Sequence, residues 1–177
     1  MSPIDVLLIL FGIGLVFFLT YQRMARALFA LGVLWAATMM SGLLYEEAAY
    51  RIQAIAGSNS ALTEGAMFAG LLIVIFVVGF ILICISFPET RLPRIGFLDV
   101  LMGFFLGVIV AAIFVALLHN AVGVMVRERW TNAVSWRTWR GFFVRSPLRT
   151  FSRYLLSLWR LIFVPFFRTL PPALTPQ

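Results

Sequence analysis

Charged residues fall into a few short clusters along the chain, and the stretches between them, residues 6–22, 27–45, 65–88 and 100–118, contain no Asp, Glu, Lys or Arg. An α-helix rises about 1.5 Å per residue and needs roughly 20 apolar residues to cross the hydrocarbon, where unpaired backbone groups cannot be left. The pattern therefore predicts four spans, at about 4–21, 27–45, 65–87 and 98–119. The first run is the shortest and draws on Ile4 and Tyr21 to complete its length. The expected fold class is an all-α integral membrane protein, with four transmembrane helices in residues 1–120 and a basic, amphipathic helical tail in residues 121–177. A soluble globular core is the competing reading, but four successive charge-free runs of this length are hard to place in one small core. The opening "MSPID" carries an acid and no Lys or Arg, and no small-x-small cleavage site precedes "TYQRMAR". The first span is thus expected to be retained instead of being removed as a signal peptide.

The connections are short. "QRMAR", residues 22–26, predicts a tight turn and hence an antiparallel hairpin between spans one and two. Residues 46–64 form a longer connection whose first half looks helical and whose "GSNS" signals a turn. Residues 88–96 hold two prolines and a glycine before the fourth span. None of these loops is large enough to be a catalytic domain, and the chain is expected not to be an enzyme.

Within the fourth run, Asp99, Gly103 and Gly107 recur at i, i+4 and i+8, with Gly96 seven residues before Gly103 on nearly the same line. Helix association in lipid depends on close packing, so these glycines, together with Gly12 in the first span, are the candidate helix-contact positions. Asp99 stands where a carboxylate meets the positive end of a helix dipole and can cap free N–H groups. Proton or ion handling is the other use of an acid at membrane depth, but no second acid or base lies mid-span. Asp5 opens the first span in the same manner, and "IDVLLILFGIG" faintly echoes "LDVLMGFFLG".

Composition agrees with the patterning: 62% of the residues are hydrophobic, 12% are charged, and the formal net charge is +7. The single cysteine, Cys84, can form no internal disulfide and reads as a small apolar residue. The single histidine, His119, has no Cys, second His or carboxylate cluster beside it in sequence, so an interfacial imidazole is expected and no metal or cofactor.

The tail changes the picture. Residues 120–177 carry nine arginines, one acid and the tryptophans Trp130, Trp136, Trp139 and Trp159. Arginine with aromatic residues occurs in nucleic-acid binders, but on a membrane chain the same mixture belongs at the headgroup layer, so anionic lipid is the expected partner and nucleic acid is not. A helix is predicted over about 147–163, with Ser146 as N-cap and Pro147 at N1. On it Arg149, Arg153 and Arg160 cluster on one side, and Leu148, Phe151, Leu155, Leu158, Trp159 and Ile162 occupy the opposite arc. Such a helix lies on a membrane or faces a protein partner. Pro165, Pro171 and Pro172 are expected to stop it.

Four spans put both termini on one side, with Arg51 and the tail arginines, against Arg23, Arg26, Arg91 and Arg94 on the other. Counting only arginines within about 20 residues of a span end gives a tie. Cytoplasmic termini are expected because an Arg-rich helix gains from the anionic cytoplasmic leaflet.

These features resemble the CvpA (colicin V production protein) family of bacterial inner-membrane proteins. That family has an aspartate just inside the first helix, a glycine-and-arginine turn between helices one and two, and a hydrophobic-Gly-x-hydrophobic-Asp-Arg-x-x-Gly-x-x-x-Gly signature entering the last helix. Asp5 matches the first element, Arg23 and Arg26 the turn, and "IGFLDVLMGFFLG" the last at Gly96, Asp99, Gly103 and Gly107. Val100 stands where the family has arginine, and Gln22 is read as replacing the glycine of the turn. The resemblance spans residues 4 to about 120. It implies a four-helix inner-membrane protein linked to toxin production or export and envelope homeostasis, with no catalytic residue. A small accessory subunit of a larger energy-transducing or secretion complex, docking through the glycine face and the basic tail, is the alternative.

Overall fold

The computed structural model of the chain describes residues 2–56, 60–87, 96–128, 130, 132–163, 165, 171, 174 and 175. Five helices follow one another: α1 (Pro3–Ala56), α2 (Ser60–Ser86), α3 (Gly96–Met125), α4 (Ala133–Val144) and α5 (Leu148–Leu161). Among the described residues there is no strand. The first three helices are long and apolar enough to cross a membrane.

Residue Arg23 interrupts α1 with φ 69° and ψ −179°. That combination is essentially glycine's own, because a Cβ collides with the backbone there. One residue in this conformation turns the chain back on itself. The first half of α1, residues 3–22, runs antiparallel to α3: Gly12 lies beside Val115, Leu19 and Val16 beside Gly107, and Arg23 beside Gly103. The second half, residues 24–56, runs antiparallel to α2, with Phe29 stacked on Phe87 at 5.0 Å, Val33 against Gly79, and Tyr45 edge-on to Phe68 at 5.9 Å. Helices α2 and α3 are antiparallel in turn, through Gly65 against Ala121 and Met125 and through Phe76 against Phe114. Four helical segments thus alternate in direction. Arg23, Phe87 and Asp99 share one end, called here the hairpin end; Asp5, Tyr45, Gly65 and Met125 share the other, the tail end.

Packing follows from the sequence of small and aromatic residues. Ala27, Ala30, Leu34, Ala37 and Ser41 are wholly buried and recur every three or four residues, so the second half of α1 presents one narrow face inward. A chain of rings runs from the exposed Phe11 through the buried Phe114 (5.6 Å), Phe76 (4.9 Å) and Phe80 (6.2 Å) to the exposed Phe18 (5.5 Å), joining three helical segments. The outward faces are apolar as well: Leu7, Phe17, Leu82 and Ile85 are each more than half exposed. Continuous outward apolar surface of this kind is what a bilayer covers.

Several expected boundaries move. The second half of α1 continues as helix to Ala56, in keeping with the helical first half expected of residues 46–64, while α3 continues to Met125, past the expected span end at residue 119. Helix formation does not stop where hydrocarbon stops. The turn expected over residues 22–26 is compressed into Arg23 alone. Helix α4 is a second element inside the tail, absent from the sequence reading. Residues 57–59, with most of the "GSNS" turn, and residues 88–95, with Pro88, Pro93, Arg91 and Arg94, lie outside the described residues, as does Pro172.

Helix α5 is packed on the bundle through Ser152, Leu156 and Trp159, one face at helical spacing, and the ring of Phe163 stacks 6.2 Å from Trp35. This divides the apolar arc that was expected to face a membrane as one surface. Trp159 turns inward, while Phe151, Leu158 and Ile162 remain exposed.

Candidate functional site

Two buried polar clusters stand at opposite ends of the bundle. At the hairpin end the Asp99 side chain is wholly buried. Its Oδ1 accepts the N–H of Met24 at 3.1 Å, and its Oδ2 lies 3.4 Å from Nη1 of Arg23. Met24 is the first residue after the break, so its N–H has lost the carbonyl that a continuous helix would offer. Asp99 therefore caps the second half of α1 from a neighbouring helix. One turn on, a Cβ at Gly103 would lie 2.9 Å from the carbonyl carbon of Arg23 and 3.0 Å from its Cα. Only a glycine lets α3 approach the reversed backbone this closely. A Cβ at Gly107 would meet Leu19 Cβ at 3.2 Å and Val16 O at 3.3 Å, and one at Gly12 would meet Val115 Cγ2 at 3.1 Å. Asp99, Gly103 and Gly107 thus form one stripe laid on the first half of α1. Gly96, expected on the same stripe, has nothing within 4 Å among the described residues. Arg26 closes this end, donating to the carbonyl of Phe87 at 3.1 Å and to Gln22 Oε1.

At the tail end Asp5 is also wholly buried. It forms a reciprocal cap with Ser2: the Asp5 N–H donates to Ser2 Oγ at 3.1 Å, and the Ser2 N–H donates to Asp5 Oδ2 at 2.8 Å. The Ser146 hydroxyl donates to Asp5 Oδ1 at 2.5 Å. Ser146 Oγ also accepts the N–H of Leu148 at 3.1 Å and lies 3.1 Å from His119 Nε2. On the far side of the imidazole, Nδ1 is 3.1 Å from Ser152 Oγ, whose single proton goes either to Nδ1 or to the carbonyl of Arg149 at 3.0 Å. Phe143 stacks on the ring at 4.9 Å.

A hydroxyl has one proton to give. Ser146 gives its proton to Asp5, so His119 Nε2 carries a hydrogen and donates. His119 is buried, 1% exposed, enclosed by protein side chains at the tail end of the bundle. The order Asp5, Ser146, His119 differs from that of a nucleophilic triad, in which the imidazole sits between acid and hydroxyl and takes the hydroxyl proton. Here the acid takes it. What this arrangement does is join three segments far apart in sequence, holding the tail to the bundle.

The remaining tail residues divide between anchoring and surface. The indole N–H of Trp130 donates to the carbonyl of Met125 at 2.7 Å, and that of Trp136 to the carbonyl of Val126 at 3.2 Å, so both cap the C-terminal end of α3. Arg140 lies over the Trp136 ring at 4.8 Å, and Arg127 pairs with Glu64 at 3.5 Å. Trp139 is partly exposed, and Trp159 is buried. Arg153 and Arg160 are exposed, but Arg149 is half-buried with its guanidinium 5.6 Å from the Phe143 ring, so the three arginines do not form one outward stripe. Among the described residues, no group of three His, Cys, Asp or Glu side chains could hold a metal ion.

Sequence reasoning missed Gly65, where a Cβ would lie 2.6 Å from the carbonyl oxygen of Ala121. A signal was present, since Ala61, Gly65 and Ala69 repeat a small residue at every fourth position. It also missed the union of Ser146 and Ser152 with His119, for which no local signal exists. No family model, no curated protein and no solved structure matches the chain.

Proposed function

We propose that the chain is a non-enzymatic, CvpA-like protein of the bacterial inner membrane, acting in toxin production or export or in envelope homeostasis through protein contacts. On this reading the two halves of α1, then α2 and α3, make four spans, with both termini on the cytoplasmic side.

One observation carries the reading. The two separate stretches on which the resemblance rests, the arginine turn and the Gly96–Gly107 signature, meet in a single joint: Asp99 on Met24 and Arg23, with Gly103 against the backbone of Arg23. Spacing in apolar sequence by itself gives no reason for these residues to touch. The residue in glycine's conformation is Arg23, not Gln22, so the turn keeps the geometry a glycine would serve and adds a cation facing Asp99. A contact role is supported by the way both buried acids are occupied by neighbouring donors. Cytoplasmic termini are supported by the tail arginines gathering at the end opposite Arg23 and Arg26.

The test is native purification of the full chain from its own membrane in mild detergent, followed by mass spectrometry of everything recovered with it. Recovery alone, or only with further copies of itself, is expected. Recovery in fixed ratio with a large complex would replace this reading with that of an accessory subunit.

A further inference from the structure

Helix α4 is poorly accommodated by the bundle. Of its twelve residues only Phe143 is buried, while Trp139 and Phe142 are left partly uncovered. Arg137, Gly141 and Arg145 recur at i, i+4 and i+8 and so form one stripe. With Ser2 and Thr138 this stripe lines a recess of about 500 Å³. Gly141 leaves the recess open, since a Cβ built there meets nothing within 4 Å. Both arginines are exposed, and neither is paired with an acid among the described residues. The acids of this end among the described residues are engaged elsewhere: Asp5 with Ser2 and Ser146, Glu46 with Tyr45, Glu64 and Glu128 with Arg127, and Glu47 with Arg51.

Phe142 is also a wall of a second recess of about 520 Å³, bounded by apolar side chains that include Ile4, Leu8, Leu118, Val122 and Trp139. This groove lies between α4 and the first half of α1, α2 and α3. Two unpaired cations at the mouth and an apolar groove beside them, sharing one phenylalanine, have the two-part shape of a phospholipid. A free anion would use the cationic part alone. An apolar partner helix would fill the groove and leave two arginines facing it unpaired.

We propose that this composite recess binds one anionic phospholipid, its phosphate held between Arg137 and Arg145 and an acyl chain lying in the groove beneath Trp139 and Phe142. Guanidinium groups present forked donors that match phosphate oxygens. The acyl chain supplies the apolar contact that α4 lacks, so the lipid fastens the start of the tail to the bundle. The inference rests on the tail end lying at a headgroup layer, as the proposed orientation has it.

The test uses the full chain, stripped of lipid in mild detergent and titrated with dioleoyl phosphatidylglycerol, with dioleoyl phosphatidylcholine, or with inorganic phosphate, bound species being counted by native mass spectrometry. The expected result is one phosphatidylglycerol per chain, held about tenfold or more tightly than phosphatidylcholine. The double substitution R137A/R145A is expected to weaken phosphatidylglycerol by a similar factor. Gly141→Leu, which fills the recess and leaves the charge unchanged, is expected to weaken it too, whereas Gly141→Ala keeps binding and serves as the folded reference. R153A/R160A is expected to leave binding unchanged. Equal binding of the two lipids, retention by Gly141→Leu, or loss on R153A/R160A would each overturn the site, and phosphate competing as well as the lipid would reduce it to an anion site. None of these outcomes bears on whether the chain is recovered alone from its membrane, so this inference and the CvpA-like reading fail separately.

Discussion

Each end of the bundle buries one aspartate, and the two are satisfied by different kinds of neighbour. Asp99 at the hairpin end receives a backbone N–H and a guanidinium from residues at the break in α1, and a glycine beside it brings the backbones together. Asp5 at the tail end receives its own local cap from Ser2, then a hydroxyl from Ser146, which passes the connection to His119 and Ser152. The first joint is made within the bundle and depends on backbone shape. The second depends on a loop and helix that arrive late in the chain, whose Leu156 and Trp159 also join the apolar core of the bundle. An acid at a helix start can thus serve a neighbouring helix at one end and a distant tail at the other.

This difference can be broken most forcefully at Gly103. Gly103→Leu drives a side chain into the Arg23 backbone, which cannot rotate aside, and overpacking of this kind costs about 1–3 kcal/mol or more. A large fall in thermal stability and loss of the monodisperse species on size exclusion are expected; unchanged assembly would sink the close-approach account.

Asp99 comes next. Asp99→Ala leaves the part-buried Met24 N–H without its acceptor, at about 1 kcal/mol or more. Asp99→Asn keeps an acceptor for that N–H, so the loss is expected to be clearly smaller. Equal effects of the two substitutions would mean that the ion pair, not the cap, holds the joint.

At the tail end, Ser146→Ala removes the hydroxyl between Asp5 and His119. The bundle is expected to stay folded while limited proteolysis within residues 127–145 speeds up several-fold, in keeping with loss of a buried hydrogen bond. Loss of bundle helicity instead would show that the two ends are not independent.

Arg23 separates conformation from charge. Arg23→Gly relieves backbone strain of about 1–3 kcal/mol but loses the cation, whereas Arg23→Ala keeps the strain and loses the cation. A melting temperature higher for Gly than for Ala is expected, and the reverse order would remove strain from the account. Smallest of all, Gly96→Ala is expected to be neutral or to stabilise by less than about 1 kcal/mol, because it adds helix propensity where none of the described residues lies within 4 Å of a Cβ.

Much of the hairpin end was legible. The stripe of Asp99, Gly103 and Gly107 is local, so helix periodicity alone brings its members onto one face, and that face is the one that packs. Gly96 shows the limit of periodicity, since being on the line does not bring any of the described residues within 4 Å of it. The target of the Asp99 carboxylate was not legible, because capping across helices depends on which backbone lies opposite. At the tail end the apolar and basic arcs of α5 follow from spacing, but the burial of Trp159 and Arg149 does not, because a helix face is chosen by the surface available to cover it.

By itself, the sequence determined the solvent of this protein and the existence of its long helices. Charge-free runs are additive properties of neighbouring residues, and hydrocarbon demands that their backbones pair internally. Tertiary structure alone decided which helix Asp99 caps, that Arg23 takes glycine's conformation, and that His119 is enclosed by two serines from the tail. Those outcomes depend on the register of segments up to 141 residues apart, and register is set by the shapes of the packed surfaces, not by any local pattern.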